Sequence, residues 1–191
     1  SDTGVITSVG KETFKIALDR DEDNASGNSG NQSYTKLKKD YSSMLGQKVK
    51  VLFKKTSDVI GVFATADNHV YTTVQNALSK DGDKIKFDDT SYSVDSNGIY
   101  TTVIGVSSTQ TFDGSTTALA KKTAADFDKD SKGYNTSLNE VTFVDSDGDN
   151  KIDTAIVIEK TAAKVTYASS SEIVAGDTYK AADENIAEGF A

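Results

Sequence analysis

Short runs of β-branched and aromatic residues, separated by clusters of glycine, aspartate, asparagine and serine, recur along most of the 191 residues. Within these runs apolar and polar residues alternate, as where Lys15 and Ala17 separate Phe14, Ile16 and Leu18. A period of two places the apolar residues on one face of a strand. The pattern therefore predicts a mainly β fold of tandem small modules, barrel- or sandwich-like, joined by a short turn and carrying one or two short helices.

The clearest hairpin is predicted where valine and lysine alternate in residues 48–54 and a polar connection leads to the apolar residues 59–64. Further strands are predicted at residues 5–9, 14–18, 70–74, 85–87, 92–94, 99–104, 140–144 and 154–159. Asn97 and Gly98 stand between two of these strands and form the strongest short-range hairpin signal. We therefore expect residues 92–94 and 99–104 to pair.

A short helix is predicted at residues 36–45, where apolar residues recur at helical spacing and Gly46 follows as a natural stop. A second short helix is predicted at residues 116–127, although threonine and alanine make its pattern weak. Residues 19–33 have no periodicity and predict a long exposed loop.

The strand sets divide at the turn pair Asp67-Asn68, after which the pattern starts again. This predicts a first module at residues 1–67 and a second at 68–160. Residues 161–191 are either the start of a further module or a C-terminal extension. One two-sheet β domain with similar hairpins is the alternative. Because the chain begins without Met and without a signal region, we expect a segment of a longer protein.

Composition excludes several kinds of chemistry. The chain has no cysteine, which rules out disulfides and thiol nucleophiles. Its one histidine, His69, is expected to be an exposed or packing side chain and not a general base. The net charge of −8 and the single arginine argue against nucleic-acid binding. No apolar run approaches the ~18 residues of a membrane span. We therefore expect a non-enzymatic protein with neither nucleic-acid binding nor membrane insertion.

One acidic segment, residues 145–153, has the spacing of a cation-binding loop. Calcium prefers six to eight oxygen ligands, and carboxylates at alternate positions of a tight loop converge on one point. The candidate metal ligands are Asp145, Asp147, Asp149 and Asp153, with the carbonyl of Lys151 between the last two.

This segment departs from a helix–loop–helix calcium site. Asn150 stands where that site has glycine, Ile156 stands where it has a bidentate glutamate, and the flanking residues are predicted strands. A bound Ca²⁺ would therefore lie in a β-hairpin turn and bind with modest affinity. The alternative is an acidic hairpin turn that uses Asp, Gly and Asn for turn geometry alone.

Residues 45–54 (LGQKVKVLFK) with 59–62 (VIGV), and residues 143–157 (FVDSDGDNKIDTAIV), resemble recurring hairpins in large secreted proteins of Gram-positive bacteria. Those proteins carry S-layer homology domains for wall anchoring and include S-layer proteins. The resemblance implies a structural or surface-assembly role outside the cell, often with calcium, and no catalytic residues.

The first hypothesis is thus an extracellular, wall-associated or S-layer-like structural module that packs against copies of itself or cell-wall polymer, with Ca²⁺ as the candidate cofactor. The alternatives are a carbohydrate- or ligand-binding module of a secreted adhesin or enzyme, and a phage tail or fibre domain.

Overall fold

The computed structural model describes residues 1–10, 12–104, 120–128, 139–160, 164–169, 172–175 and 177–180. It is mainly β, with 54% strand and 7% helical residues, so the predicted fold class is confirmed. The described strands are β1 (Asp2–Gly10), β2 (Thr13–Leu18), β3 (Asn31–Thr35), β4 (Lys48–Lys55), β5 (Asp58–Ala64), β6 (His69–Val74), β7 (Ser79–Asp81), β8 (Lys84–Phe87), β9 (Thr90–Val94), β10 (Ile99–Ile104), β11 (Ala120–Lys122), β12 (Glu140–Asp145), β13 (Lys151–Ile152), β14 (Thr154–Ile158), β15 (Tyr167–Ala168), β16 (Glu172–Ala175) and β17 (Asp177–Lys180). Short 3₁₀ helices lie at Ser42–Met44, Gln75–Ala77 and Ala124–Phe127.

The first sheet is antiparallel and has the order β3-β2-β1-β4-β5. The predicted alternation holds: Phe14, Ile16 and Leu18 are buried, and Lys15 between them is exposed. These side chains belong to the first cluster, whose buried members are Ile6, Val9, Phe14, Ile16, Leu18, Tyr34, Leu45, Val49, Val51, Val144 and Ile156. The first sheet therefore buries one face around its own core.

A second sheet of order β11-β10-β14-β12-β6 packs against a third of order β13-β9-β8-β7. The second cluster lies between them and contains Leu78, Ile85, Phe87, Ile99, Ala124, Phe127, Val141, Phe143, Ile152, Ala155 and Val157. Strands β10 and β14 run parallel, so chain segments far apart in sequence meet at the middle of the second sheet. No closed barrel forms among the described residues.

Strands β12 and β14 supply side chains to both clusters. On β12, Phe143 enters the second cluster and Val144 the first; on β14, Val157 and Ile156 divide in the same way. Because side chains alternate across a strand, both faces of these two strands are buried. The second sheet is therefore packed against the first sheet as well as against the third.

A glycine permits close approach at this contact. Gly46 has φ +81°, and a Cβ at this position would lie 2.7 Å from Cγ2 of Thr154 on β14. Among the described residues, no strand of the first sheet lies beyond Ala64, yet its core includes Val144 and Ile156. The module boundary near residue 67 stays a prediction, and so do the divisions at 160 and 161.

The helix predicted at residues 36–45 is wrong except for the 3₁₀ turn Ser42–Met44. Lys36 has φ +57°, which no α-helix accommodates. The N–H of Leu37 donates to the carbonyl of Glu12, so this segment is tied to the first sheet. The apolar residues at helical spacing still serve the core, because Leu37, Tyr41 and Met44 pack against the first cluster.

Three other local predictions need correction. The turn at Asn97 and Gly98 forms, but β9 and β10 belong to different sheets and do not pair. Residues 31–33, predicted as loop, begin strand β3. Of the helix predicted at residues 116–127, residues 116–119 lie outside the described residues, Ala120–Lys122 is a strand and Ala124–Phe127 is a 3₁₀ helix.

The last described segments form a small sheet of order β15-β16-β17. Its first pair, β15 with β16, is antiparallel. In the described part of the chain, no helix has the length and apolar character needed to cross a membrane.

A buried hydrogen bond fixes the edge of the first sheet. The hydroxyl of Tyr34 donates to Oδ2 of Asp2 at 2.5 Å, and the N–H of Ser26 donates to Oδ1 at 2.9 Å. Burial alone would raise the pKa of Asp2, but these hydrogen bonds bring it below its usual value. The ionised carboxylate therefore stabilises the fold above the unfolded-state pKa of 3.8, and this contribution is lost as the pH falls through the folded-state pKa.

We expect Tyr34→Phe to lower the free energy of unfolding by about 1–3 kcal/mol at neutral pH, because Asp2 loses its hydroxyl donor. The cost should shrink as the pH falls below the pKa of Asp2. Urea unfolding across this pH range measures both effects. Tyr167→Phe, at a tyrosine that is 53% exposed, is the control and should change little. An equal cost for Tyr34→Phe at acidic and neutral pH would contradict the assignment.

Candidate metal centre

The acidic loop, residues 145–153, begins at the last residue of β12 and leads to β14. These are the two strands that supply side chains to both clusters. The pairing of Val144 with Thr154 closes the loop, and the N–H of Asp153 donates to the carbonyl of Val144 at 3.0 Å. Within the loop, β13 pairs in parallel with β9 of the third sheet. The loop is therefore held by the sheets at both ends and in its second half, which confirms the hairpin predicted around it.

Asp145 is the buried centre of the loop, with 1% of its surface exposed. Its Oδ1 accepts the N–H of Gly148 at 2.8 Å, and its Oδ2 accepts the N–H of Asn150 at 2.9 Å. Nδ1 of His69 lies 3.0 Å from the same Oδ2. An ionised carboxylate has about four acceptor positions. These three contacts leave one for a further donor or a cation.

Asp147 and Asp149 are the exposed aspartates of the loop. Burial and the nearby negative charges of Asp149 and Asp145 raise the pKa of Asp147, although a hydrogen bond from the N–H of Asp149 opposes them. Asp149 has the opposite shift, because the ammonium group of Lys151 donates to its Oδ2 and lowers its pKa. Negative charge on Asp147 is therefore unfavourable in this loop unless a cation offsets it.

Carboxylate oxygens of Asp145, Asp147 and Asp149 all lie within 4.8 Å of one another. Oxygen ligands of this kind suit Ca²⁺, which accepts irregular coordination and completes its shell with backbone carbonyls or water. These three carboxylates supply fewer than six protein ligands. The ammonium group of Lys151 also competes with a metal ion for Asp149. These residues therefore fit a hard divalent cation, bound with modest affinity.

Asp153, the fourth predicted ligand, lies in a different environment. Its Oδ2 accepts the N–H and hydroxyl of Ser146 at 2.7 and 2.8 Å, and its Oδ1 accepts the hydroxyl of Thr154 at 2.7 Å. Burial raises its pKa, against these hydrogen bonds. Asp153 is not part of the group of three converging carboxylates. In this arrangement it closes the neck of the loop.

His69 begins β6 and lies directly opposite Asp145, its partner in the β6–β12 ladder. Its side chain is 43% exposed, in line with the expectation of an exposed or packing side chain. Its ring nevertheless contacts the carboxylate of Asp145. Sequence reasoning missed this contact because 76 residues separate the two partners. The contact depends on how the predicted strands 70–74 and 140–144 pair. The register between strands so far apart cannot be derived from a single sequence.

A second acidic segment, around Asp19, has another role. The ammonium group of Lys48 on β4 lies 2.5 Å from Oδ2 of Asp19 and holds the pKa of this carboxyl below its usual range. The N–H of Asp21 also donates to Asp19. This pair connects the loop after β2 to the first sheet.

Neither the models of known protein families, nor the curated proteins, nor the solved structures contain a match to this chain.

Proposed function

We propose that this chain is a non-catalytic structural module of a cell-surface protein, S-layer-like or wall-associated, and that Ca²⁺ bound in the acidic loop stabilises it. The observation that carries the proposal is the convergence of Asp145, Asp147 and Asp149 within 4.8 Å on the loop between β12 and β14. Because both clusters bury side chains of these strands, an ion at this point would stabilise the packing of both cores together.

The electrostatics of the loop support a stabilising role for the ion. The raised pKa of Asp147 means that its charge opposes folding at neutral pH. A divalent cation reverses the sign of that contribution. The unfolded chain does not hold the three carboxylates together, so the ion binds the folded state preferentially and stabilises it by mass action.

The location outside the cell is proposed from the resemblance of residues 45–54 with 59–62, and of residues 143–157, to hairpins of Gram-positive surface proteins. Partners in this setting are copies of the chain itself or cell-wall polymer. Antibodies raised against the chain should label intact cells that produce the parent protein. Labelling only after the cells are opened would contradict the surface location.

A cleft of about 580 Å³ favours a second candidate function, the binding of a polar ligand such as a carbohydrate. It is lined by Lys80, Asp83, Asp95, Asn97 and Lys122 among others, and its volume is in the usual range for small-molecule sites. Retention of the chain on a cell-wall polysaccharide column, lost in Asn97→Ala but kept in Asp147→Ala, would favour this function over a purely structural one.

Lys151 provides a test of the ion's position. We expect Lys151→Gln to tighten Ca²⁺ binding about two- to fivefold, because it removes a cation that competes at Asp149. Lys160→Gln is a matched control: the Lys160–Glu140 pair has side-chain exposures of 49% and 34%, against 46% and 36% for Lys151–Asp149. Calorimetric titration measures both affinities. Equal effects of the two substitutions would place the ion elsewhere.

A further inference from the structure

The outer edge of β5 is an unpaired strand edge with exposed apolar side chains. In the described part of the chain β5 pairs with β4 alone and ends the first sheet. Ile60 is 66% exposed and Phe63 is 56% exposed. Natural edge strands are usually protected by proline, lysine or inward-pointing charge, and the sequence of β5, DVIGVFA, has none of these after Asp58. Such an edge can accept a further strand through its backbone hydrogen-bonding groups.

A groove runs beside this edge. It is formed between the segment of residues 37–41 and β5, and its volume is about 400 Å³. Leu37, Tyr41, Val59 and Val62 line it and pack against the first cluster, so they give the groove an apolar floor. This floor supplies a place for alternate side chains of an added strand.

The part of the chain that forms the groove is rich in lysine. Residues 35–58 contain seven lysines and two aspartates, a net charge of +5 in a chain of net charge −8. Lys38, Lys39 and one acid, Asp58, line the groove itself. The backbone hydrogen bond from Thr35 to Thr56, at 3.0 Å, places Lys36 near the turn after Lys54 and Lys55. No salt bridge in the described part of the chain uses any of these five lysines.

We propose that the β5 edge and its lysine-bordered groove bind an acidic, extended segment of a partner polypeptide, which adds to the first sheet as a sixth strand. Lysines with no salt-bridge partner among the described residues select negative charge. The apolar floor and the free strand edge select a polypeptide over an anionic sugar or phosphate polymer. No residue of the acidic loop lines this groove, so the inference does not depend on the proposed calcium role.

Synthetic peptides of about nine residues, the length of a long strand, test the proposal. One alternates Glu with Val, a second alternates Lys with Val, and a third is the Glu/Val peptide with N-methyl groups on alternate residues. Fluorescence anisotropy with the whole chain should show the Glu/Val peptide binding at least about tenfold more tightly than either of the others. Equal binding of the Lys/Val peptide, of the N-methylated peptide or of polyglutamate would overturn the proposal.

Variants of the chain locate the site. Lys38→Glu with Lys39→Glu, and separately Ile60→Ser with Phe63→Ser, should each weaken binding of the Glu/Val peptide about tenfold. Lys84→Glu with Lys86→Glu, at exposed positions of β8, is the charge control and should have little effect. All six substituted side chains are exposed, so the variants should fold, and circular dichroism checks this. Self-association of the chain that the Lys38 and Lys39 substitutions abolish would assign the edge to a second copy and overturn the proposal.

Discussion

Replacing Ile156 with alanine should lower the free energy of unfolding by about 2–5 kcal/mol, as usual for a buried large-to-small change. Ile156 belongs to β14 of the second sheet, but its side chain is 7% exposed and packs in the first cluster. Its neighbours Ala155 and Val157 point into the second cluster. A cavity at Ile156 should therefore weaken the contact between the two clusters, and so destabilise both of them.

Denaturant unfolding and amide hydrogen exchange measure this effect. We expect faster exchange both in β2 of the first sheet and in β8 of the third sheet. Ile60→Ala, at an isoleucine that is 66% exposed, is the matched control and should cost no more than about 0.5 kcal/mol. Faster exchange in only one of the two strands would show that residues 1–67 and 68–160 unfold separately.

Replacing Asp145 with alanine should be costly even with the metal removed, by about 2–4 kcal/mol. The substitution takes away the acceptor of the Gly148 and Asn150 N–H groups and the partner of His69. Because Asp145 is almost fully buried, little water can replace it. The loop between β12 and β14 then loses the hydrogen bonds that hold its backbone in place.

Asp149→Ala, measured in chelator, is the comparison for this loss. Asp149 is exposed and its side chain bonds within the loop, to the N–H and ammonium groups of Lys151, so we expect a cost under about 1 kcal/mol. Equal destabilisation by the two substitutions would contradict the central role of Asp145 in holding the loop.

Local features of the fold were predictable from the sequence. The alternation at Phe14, Ile16 and Leu18 and the valine–lysine pattern of β4 each identified a strand and its buried face. The helix at residues 36–45 failed because tertiary contacts, such as that of Leu37 with Glu12, overrode a helical spacing of apolar residues. Asn97 and Gly98 predicted a turn correctly, but a turn does not determine the sheet that each following strand joins.

The candidate site also has a part that was predictable from the sequence and a part that was not. Asp145, Asp147 and Asp149 converge because they alternate within one short loop, which the sequence displays directly. Asp153 was predicted from the same spacing, yet Ser146 and Thr154 occupy its oxygens. The contact of His69 with Asp145 depends on strand register across the second sheet, which has no local sequence signal.

Thermal unfolding with and without Ca²⁺ tests the central claim most directly. For a dissociation constant of about 10⁻⁴–10⁻³ M, about 5–10 mM Ca²⁺ should stabilise the chain by about 1–3 kcal/mol and raise Tm by about 2–10 °C relative to chelator. Asp147→Ala should lose this response, and in chelator it should be no less stable than the native chain because it removes an unfavourable charge. A native chain whose Tm does not respond to Ca²⁺, or a variant that responds equally, would show that residues 145–153 are an acidic turn without a metal.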